Sequence, residues 1–436
     1  SALTPSQKLV EWQRIRSGEA RFVIGARSAI FAPVSRLGLI IIDEEHEGAY
    51  KSNSKPRYHA RQVAMRRAGS SGAKLVMGSA TPSLEAWHLV RSEKIPGFNL
   101  GKRLSGGAVP SIELIDMKKY KTCISKPLET AIRQTHEEGR QSILFLNRRG
   151  FSYFFHCRTC GYESRCRNCS VSLTYHKNRN SLICHYCGYT EMPKTVCPEC
   201  GSLDVGYSGF GTELIESELN LLFPDLKIDR VDTDSVKQKG SLKEKLEKFK
   251  NGDIDLLLGT QMVAKGLNFP GVKLVGIVLA DTGLHLPDFR AHERTFDLIV
   301  QVAGRAGRYF PDGRVLIQTY KPENEAIQMA ANGTIDSFYE KELEIRKALS
   351  FPPFGRLFRI VFRGKNKQRT EAAAEDFATR FDIASLPESC AAEVLGPAEC
   401  PLSMISGNYR YQLIIRTDEF KRVHSLFKGA LIQYNA

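Results

Sequence analysis

Four Cys-x-x-Cys pairs fall within 44 residues: Cys157/Cys160, Cys166/Cys169, Cys184/Cys187 and Cys197/Cys200. They hold eight of the chain's eleven cysteines. A Cys-x-x-Cys turn aims two thiolates at one point, and two such turns complete a tetrahedral four-thiolate zinc site. Four turns make two sites, so two structural Zn²⁺ are expected. A disulfide framework is the competing reading. Regular pairing in a long chain that opens on no signal peptide favours metal instead. Between Cys169 and Cys184 lie 14 residues, a span that suits a ribbon hairpin. Cys166, Cys169, Cys184 and Cys187 are therefore expected to form an inner site, with Cys157, Cys160, Cys197 and Cys200 closing an outer one around it. Pairing in chain order is disfavoured, because only five residues separate Cys160 from Cys166. Cys123, Cys390 and Cys400 have no neighbour at ligand spacing and are expected to pack as core thiols without metal.

A formal net charge of +14 favours a polyanionic partner, and nucleic acid is the obvious one. A solvated basic surface without a partner is the alternative, and the distribution of charge argues against it. From Asn147 to Thr190 there are seven Lys or Arg and a single acid, Glu163. Aromatic residues interleave with the cations, among them Phe151, Tyr153, Tyr162, Tyr175, Tyr186 and Tyr189. Cations neutralise phosphates and aromatic faces stack on bases. Some of these rings, about half, must instead pack the small interior that a zinc module can build. No apolar run approaches the ~20 residues of a membrane span, so a membrane role is not expected and the cytoplasm is the expected compartment.

Short, near-continuous apolar runs at 22–24, 37–42, 74–77, 142–146, 255–258, 274–279 and 314–318 predict strands buried on both faces. Helical patterns lie between them at 83–91, 126–138, 212–222, 241–250 and 291–301. The alternation reads as α/β with too many strands for one small sheet, hence two lobes. A boundary is expected near 101–121. The cysteine segment interrupts the second lobe, and a further break falls at Phe351-Pro352-Pro353-Phe354-Gly355. Beyond it, strand 357–362, helix 370–381 and strand 411–416 predict a small α+β domain. The expected division is 1–120, then 121–152 with 204–348, the insert 153–203, and 349–436.

Four motifs sit at strand or helix ends in this frame. The run Leu39-Ile40-Ile41-Ile42 leads straight into Asp43-Glu44-Glu45-His46, which places carboxylates at the ligand-binding edge of a sheet. In nucleotide motors the first such acid serves Mg²⁺ and the second polarises the attacking water. Gly78-Ser79-Ala80-Thr81-Pro82-Ser83 follows the next strand, with small hydroxyl residues that can link the acids to a bound strand. A third motif, Gly259-Thr260-Gln261-Met262-Val263-Ala264-Lys265-Gly266, follows a strand of the second lobe. Gln301-Val302-Ala303-Gly304-Arg305-Ala306-Gly307-Arg308 ends a helix. Its two arginines are three apart, so they share a face if the helix continues. From there they can reach a γ-phosphate. Any one motif reads equally well as an acidic or glycine-rich turn; four in this order do not.

With these motifs in place, the chain closely resembles, over essentially its whole length, the primosomal replication-restart DNA helicase family (primosomal protein N′) of superfamily 2. The resemblance also rests on Gly25-Ala26-Arg27-Ser28-Ala29-Ile30-Phe31-Ala32-Pro33, on Tyr50, Pro56-Arg57-Tyr58 and Ala60-Arg61, on Asn147-Arg148-Arg149-Gly150 and on Leu395-Gly396-Pro397. It implies two RecA-like helicase lobes with ATP and Mg²⁺ between them, a zinc-ribbon insert in the second, and 3′→5′ unwinding of abandoned forks. Asp43 would serve Mg²⁺, Glu44 would activate water and His46 would couple the site to DNA. Arg305 and Arg308 would meet the γ-phosphate, with Gly259, Lys265 and Gln301 contacting nucleotide. Arg27, Tyr50, Lys51, Arg57, Tyr58, Arg61, Arg148 and Arg149 are the implied DNA contacts. Implied partners are single-stranded and forked DNA, the single-stranded-DNA-binding protein and other primosome proteins.

The sequence departs from the family in two places. It has no Gly-x-x-x-x-Gly-Lys-[Ser/Thr] phosphate loop, so it is expected to be a carboxyl-terminal portion with an incomplete first lobe and no ATPase activity alone. Asn408 stands where the family commonly has Arg, so a role for that arginine does not carry over. A non-catalytic zinc module that binds DNA and scaffolds the primosome is the alternative. A zinc-ribbon RNA-binding or transcription factor would explain the cysteines and charge, but not the four motifs.

Overall fold

The computed structural model describes residues 3–52, 54–101, 110–120, 122–146, 154–157, 162, 164, 167, 173–176, 180–183, 189–203, 205–208, 212–231, 241–260, 269–280, 284, 288–306, 311–381 and 392–435. The contacts divide the chain into two units, Ser1–Gly97 and Phe98–Ala436.

The first unit holds a two-stranded parallel sheet, Leu39–Ile42 beside Lys74–Met77, in register Leu39↔Lys74. The crossover between them is the helix Ala60–Ser71. It buries an alanine stripe of Ala60, Ala64 and Ala68 at helical spacing, and Gly72 ends it at φ 65°, where a Cβ would be strained. Ser83 caps the helix Leu84–Arg91 by accepting from the Ala86 N–H. The strand expected at 22–24 does not form. Phe22 and Ile24 are 91% and 100% exposed and pair with nothing among the described residues. A three-residue apolar run with no neighbouring strand leaves its amides and carbonyls better served by water.

The second unit is built on a six-stranded, all-parallel sheet. Its order is Ile228–Val231, Leu256–Gly259, Gln141–Leu146, Val272–Val278, Arg314–Thr319, Ser111–Asp116. The central strand Gln141–Leu146 is buried at every position, which explains the unbroken apolar run at 143–146. Leu128, Ile132, Leu144, Phe223, Leu258, Leu274 and Leu316 form the core around it. The chain leaves Gln141–Leu146 towards the edge strand Ile228–Val231 and leaves the adjacent Val272–Val278 the other way, towards Arg314–Thr319, so the carboxyl ends of these two neighbours mark the switch point where α/β sheets take ligands.

The edge strand corrects the expected division at residue 120. Ser111–Asp116 pairs in parallel with Arg314–Thr319 over its full length. The segment therefore belongs to the second sheet, not to the first lobe.

The cysteine insert enters after Gln141–Leu146 and leaves before the helix Thr212–Leu222. An antiparallel pair closes its base, Phe154–Cys157 with Val205–Ser208. Within it, Thr174–His176 pairs with Ser181–Ile183, and that strand with Thr190–Glu191. The carboxyl-terminal domain is a three-stranded antiparallel sheet in the order Arg356–Gly364, Asn408–Thr417, Ala392–Ile405. Helices Lys367–Arg380 and Phe420–Asn435 accompany it, and Phe377, Phe381, Leu413, Ile415 and Val423 form its core. Cys123 and Cys400 are buried, as the packing expectation has it; Cys390 lies outside the described residues.

Candidate functional site

The acid box is built from the backbone outward. Ile42 ends its strand buried, and its carbonyl accepts from the Gly78 N–H at 2.9 Å. The Gly78 carbonyl accepts from Glu45 N at 3.0 Å. These two bonds fasten the acid box to the start of the Ser79-Ala80-Thr81 loop. Asp43 Oδ1 accepts from the Glu44 N–H at 3.0 Å. Glu44 itself sits at φ 47°, a left-handed conformation that non-glycine residues adopt where surrounding structure enforces it.

The four residues then divide their work. Asp43 is exposed. One Glu44 carboxylate oxygen is buried without a hydrogen-bond partner, and His46 Nδ1 is 3.7 Å from it. His46 Nδ1 shares a 2.7 Å hydrogen bond with Ser79 Oγ, which also accepts from the Thr81 N–H at 3.1 Å. The histidine thus ties the acids to the hydroxyl loop. Glu45, which carried no assigned role, is 2% exposed. It accepts from Ser83 N at 3.1 Å, Ser83 Oγ at 2.9 Å and the Arg61 guanidinium.

That last bond gives Arg61, an implied DNA contact, a partner inside the protein. Its guanidinium also donates to Ser83 Oγ at 2.6 Å, and its side chain is 14% exposed. A buried carboxylate demands a partner, and the Arg61 guanidinium supplies it to Glu45. Arg27 is similarly engaged: it donates to the Ala49 and Lys51 carbonyls at 2.7 and 3.0 Å and lies over the Tyr58 ring at 5.6 Å. Tyr50 donates from its hydroxyl to the Asp43 carbonyl at 2.7 Å. Burial, then the charges of Asp43 and Glu47, push that phenol above its ordinary range. His59 and Lys51 form an antiparallel bridge, and Ser52 N donates to the Tyr58 carbonyl at 2.7 Å. The loop is therefore closed on itself against the acid box. Lys51, Lys55 and Arg57 stand exposed on it, while Tyr58 is half-buried.

In the second unit, Gly259 ends a fully buried strand at the carboxyl edge of the sheet. Gln301 and Arg305 lie half-buried on the helix Ala291–Ala306. Lys265, Arg308, Arg148 and Arg149 lie outside the described residues.

Of the eight cysteines expected as ligands, only Cys197 and Cys200 have described side chains. Cys197 is buried and Cys200 exposed. Their turn is closed by Gly201 N donating to the Cys197 carbonyl at 3.0 Å and Cys197 N to the Ser202 carbonyl at 2.9 Å, with Gly201 at φ 69°. Cys157 ends the base strand, opposite Val205. The side chains of Cys157, Cys160, Cys166, Cys169, Cys184 and Cys187 lie outside the described residues. Among the described residues no three metal-binding side chains cluster. Leu173 and Leu182 make a small buried core, covered by Tyr162, Tyr175, Tyr189, Val205 and Ile405. Three of the aromatics expected near DNA are thus packing residues, and Ile405 comes from the carboxyl-terminal hairpin.

Comparison with known proteins agrees with this layout. Residues 166–191 match the family model of the PriA DNA helicase Cys-rich region (CRR) domain, and residues 210–310 that of the helicase conserved C-terminal domain. Residues 347–434 match the primosomal protein N C-terminal domain. The replication restart protein PriA of Treponema pallidum (strain Nichols) is 50% identical over 436 residues, 100% of this chain and 66% of that protein. The replication restart protein PriA of Bacillus subtilis (strain 168) is 41% identical, over 100% of this chain and 54% of that protein. The chain spans between about half and two thirds of the length of these curated relatives. Among solved structures, RecG bound to a three-way DNA junction superposes with a TM-score of 0.40 at 15% identity, over 79% of this chain and 35% of RecG, a likeness too slight to argue from. Over its full length, from acid box to carboxyl-terminal sheet, the chain belongs to the PriA family of replication restart proteins.

Proposed function

We propose that the whole protein is an ATP-driven 3′→5′ DNA helicase that acts at stalled forks and starts primosome assembly, and that this chain carries part of its motor. The observation that carries the reading is the 2.7 Å bond from His46 Nδ1 to Ser79 Oγ, which joins the acid box to the hydroxyl loop. A solvated acidic turn would not need it. The unpartnered Glu44 oxygen fits a group that takes a proton from water. Exposed Asp43 fits a ligand of Mg²⁺, which would neutralise phosphate charge when bound. Glu44 would orient the attacking water and hold its proton. His46 would pass the state of the acids to the hydroxyl loop and so to a bound strand. By the family resemblance, Gln301, Arg305 and Arg308 would contact phosphate, and Gly259 and Lys265 nucleotide. Lys51, Lys55 and Arg57 are exposed cations suited to DNA phosphates; Arg148 and Arg149 remain proposed contacts by resemblance.

The cysteine residues fit two four-thiolate zinc sites in the nested arrangement. The base pair that sets Cys157 opposite Val205 brings the two ends of the insert together, and Cys197 and Cys200 lie just before that second strand. The inner hairpin pairs Thr174 with Ile183, and Cys184 is the next residue in sequence. Bound zinc would replace a hydrophobic core the insert is too small to build.

The test is strand separation by the protein extended to the full length of its relatives. Glu44→Gln should keep nucleotide binding and lose DNA-stimulated hydrolysis and unwinding. No unwinding by the unsubstituted protein would favour a scaffold whose motor motifs are idle, and undiminished unwinding by Glu44→Gln would remove the water-orienting role from Glu44.

A further inference from the structure

We propose that Arg346 is a positioning residue for ATP hydrolysis, holding the arginine-bearing helix Ala291–Ala306 and joining it to the carboxyl-terminal domain. The proposal rests on the helicase reading above. Arg346 is 1% exposed, one of the largest fully buried side chains described. Its guanidinium Nη2 donates to Glu293 Oε2 at 2.7 Å, Nε to Glu342 Oε1 at 3.4 Å, and Nη1 to the Pro352 carbonyl at 3.3 Å. One planar fork therefore grips three places. They are the first turn of the arginine-bearing helix, its own helix Ile335–Ala348, and the chain entering the carboxyl-terminal domain.

The surroundings reinforce the grip. Arg346 lies over the Phe289 ring at 5.1 Å, and Phe289 stacks on Phe351 at 5.1 Å. Phe351 in turn lies under Arg416 at 5.9 Å, on a strand of the carboxyl-terminal sheet. Arg290 Nε and His292 Nδ1 face the two acids, at 3.8 Å from Glu293 and 3.9 Å from Glu342.

Burying an ion pair is a poor way to gain stability alone, since apolar residues of similar volume serve as well. A guanidinium offers instead a fixed direction to several acceptors at once. Glu293 and Arg305 are twelve residues apart on one helix, so about 18 Å apart at 1.5 Å per residue. A tilt of roughly 3° over that lever moves Arg305 by about 1 Å, and a misplacement of ~1 Å can cost on the order of 10²-fold in rate.

The experiment uses the full-length protein with single-stranded DNA and ATP. The triple variant Glu293→Met/Glu342→Met/Arg346→Met removes both buried pairs together, and Arg346→Lys keeps the charge but loses the fork. Both should show kcat lower by about tenfold or more, with KM for ATP within about twofold. The triple variant's melting temperature should match the parent's, separating aim from stability. A folded triple variant or a folded Arg346→Lys with unchanged kcat overturns the positioning role while leaving the helicase reading intact. An unsubstituted protein without DNA-stimulated hydrolysis overturns both.

Discussion

Glu45 and Arg61 are sixteen residues apart in sequence and joined in the interior of the first unit. Replacing Arg61 by alanine would leave the Glu45 carboxylate buried among two bonds from Ser83. Breaking such a pair from one side costs about 3–5 kcal/mol. Denaturant unfolding of the first unit should show a loss of that order, and a variant as stable as the parent would mean Glu45 holds its proton or reaches water. His59 supplies a pH signature nearby. Burial, with Arg61 and Lys51 close, pulls its imidazole from 6.5 down to about 4. The unfolded chain therefore binds more protons between these values, and stability rises with pH there. The contribution should be complete above pH 6.5, decline as pH falls towards about 4, and then level off. Thermal melts across that range check it, and His59→Gln should flatten the slope.

At the scale of elements, the cysteine insert gives the sharpest expectation. Elemental analysis should find two zinc ions per chain, four thiolates each. Cys157→Ser and Cys166→Ser should each disturb a different ion, so their combination should lose both; loss of one ion only would support pairing in chain order. Chelation should unfold the insert, since bound metal replaces a core, and leave the six-stranded sheet standing. Elements were legible where burial was two-sided. Residues 143–146, 256–258 and 315–317 sit inside the parallel sheet and read as unbroken apolar runs. Ser111–Asp116 is an edge strand whose exposed Glu113 and Ser111 break the run, so it passed for a linker. Ala392–Ile405 was missed because Gly396-Pro397 and Cys400-Pro401 interrupt it, and the pairing itself shifts register at both places. The run 22–24 misled in the opposite sense, apolar without a partner strand. Within the acid box, residue types disclosed the chemistry. The Arg61–Glu45 bond is hidden in the sequence because an arginine looks the same whether its partner is a phosphate or a distant carboxylate.

For the whole molecule, a net charge of +14 and the exposed cations Lys51, Lys55 and Arg57 predict DNA binding that weakens steeply with salt. Fluorescence titration with a single strand should show log affinity falling linearly with log salt concentration. Affinity flat between low and physiological salt would contradict an electrostatic surface. Among the described residues no helix is long and apolar enough to cross a membrane. In the proposed motor, the roles given to Asp43, Glu44 and Arg305 each require a phosphate that other groups already hold, because positioning supplies much of the catalysis in phosphoryl transfer. The sequence contains no Gly-x-x-x-x-Gly-Lys-[Ser/Thr] segment to do so. The most direct measurement is therefore ATP turnover with single-stranded DNA, by residues 1–436 and by the protein extended to its relatives' length. The account predicts no turnover above background for the first and DNA-stimulated turnover for the second. Robust DNA-stimulated turnover by residues 1–436 alone would contradict it and move the nucleotide site elsewhere.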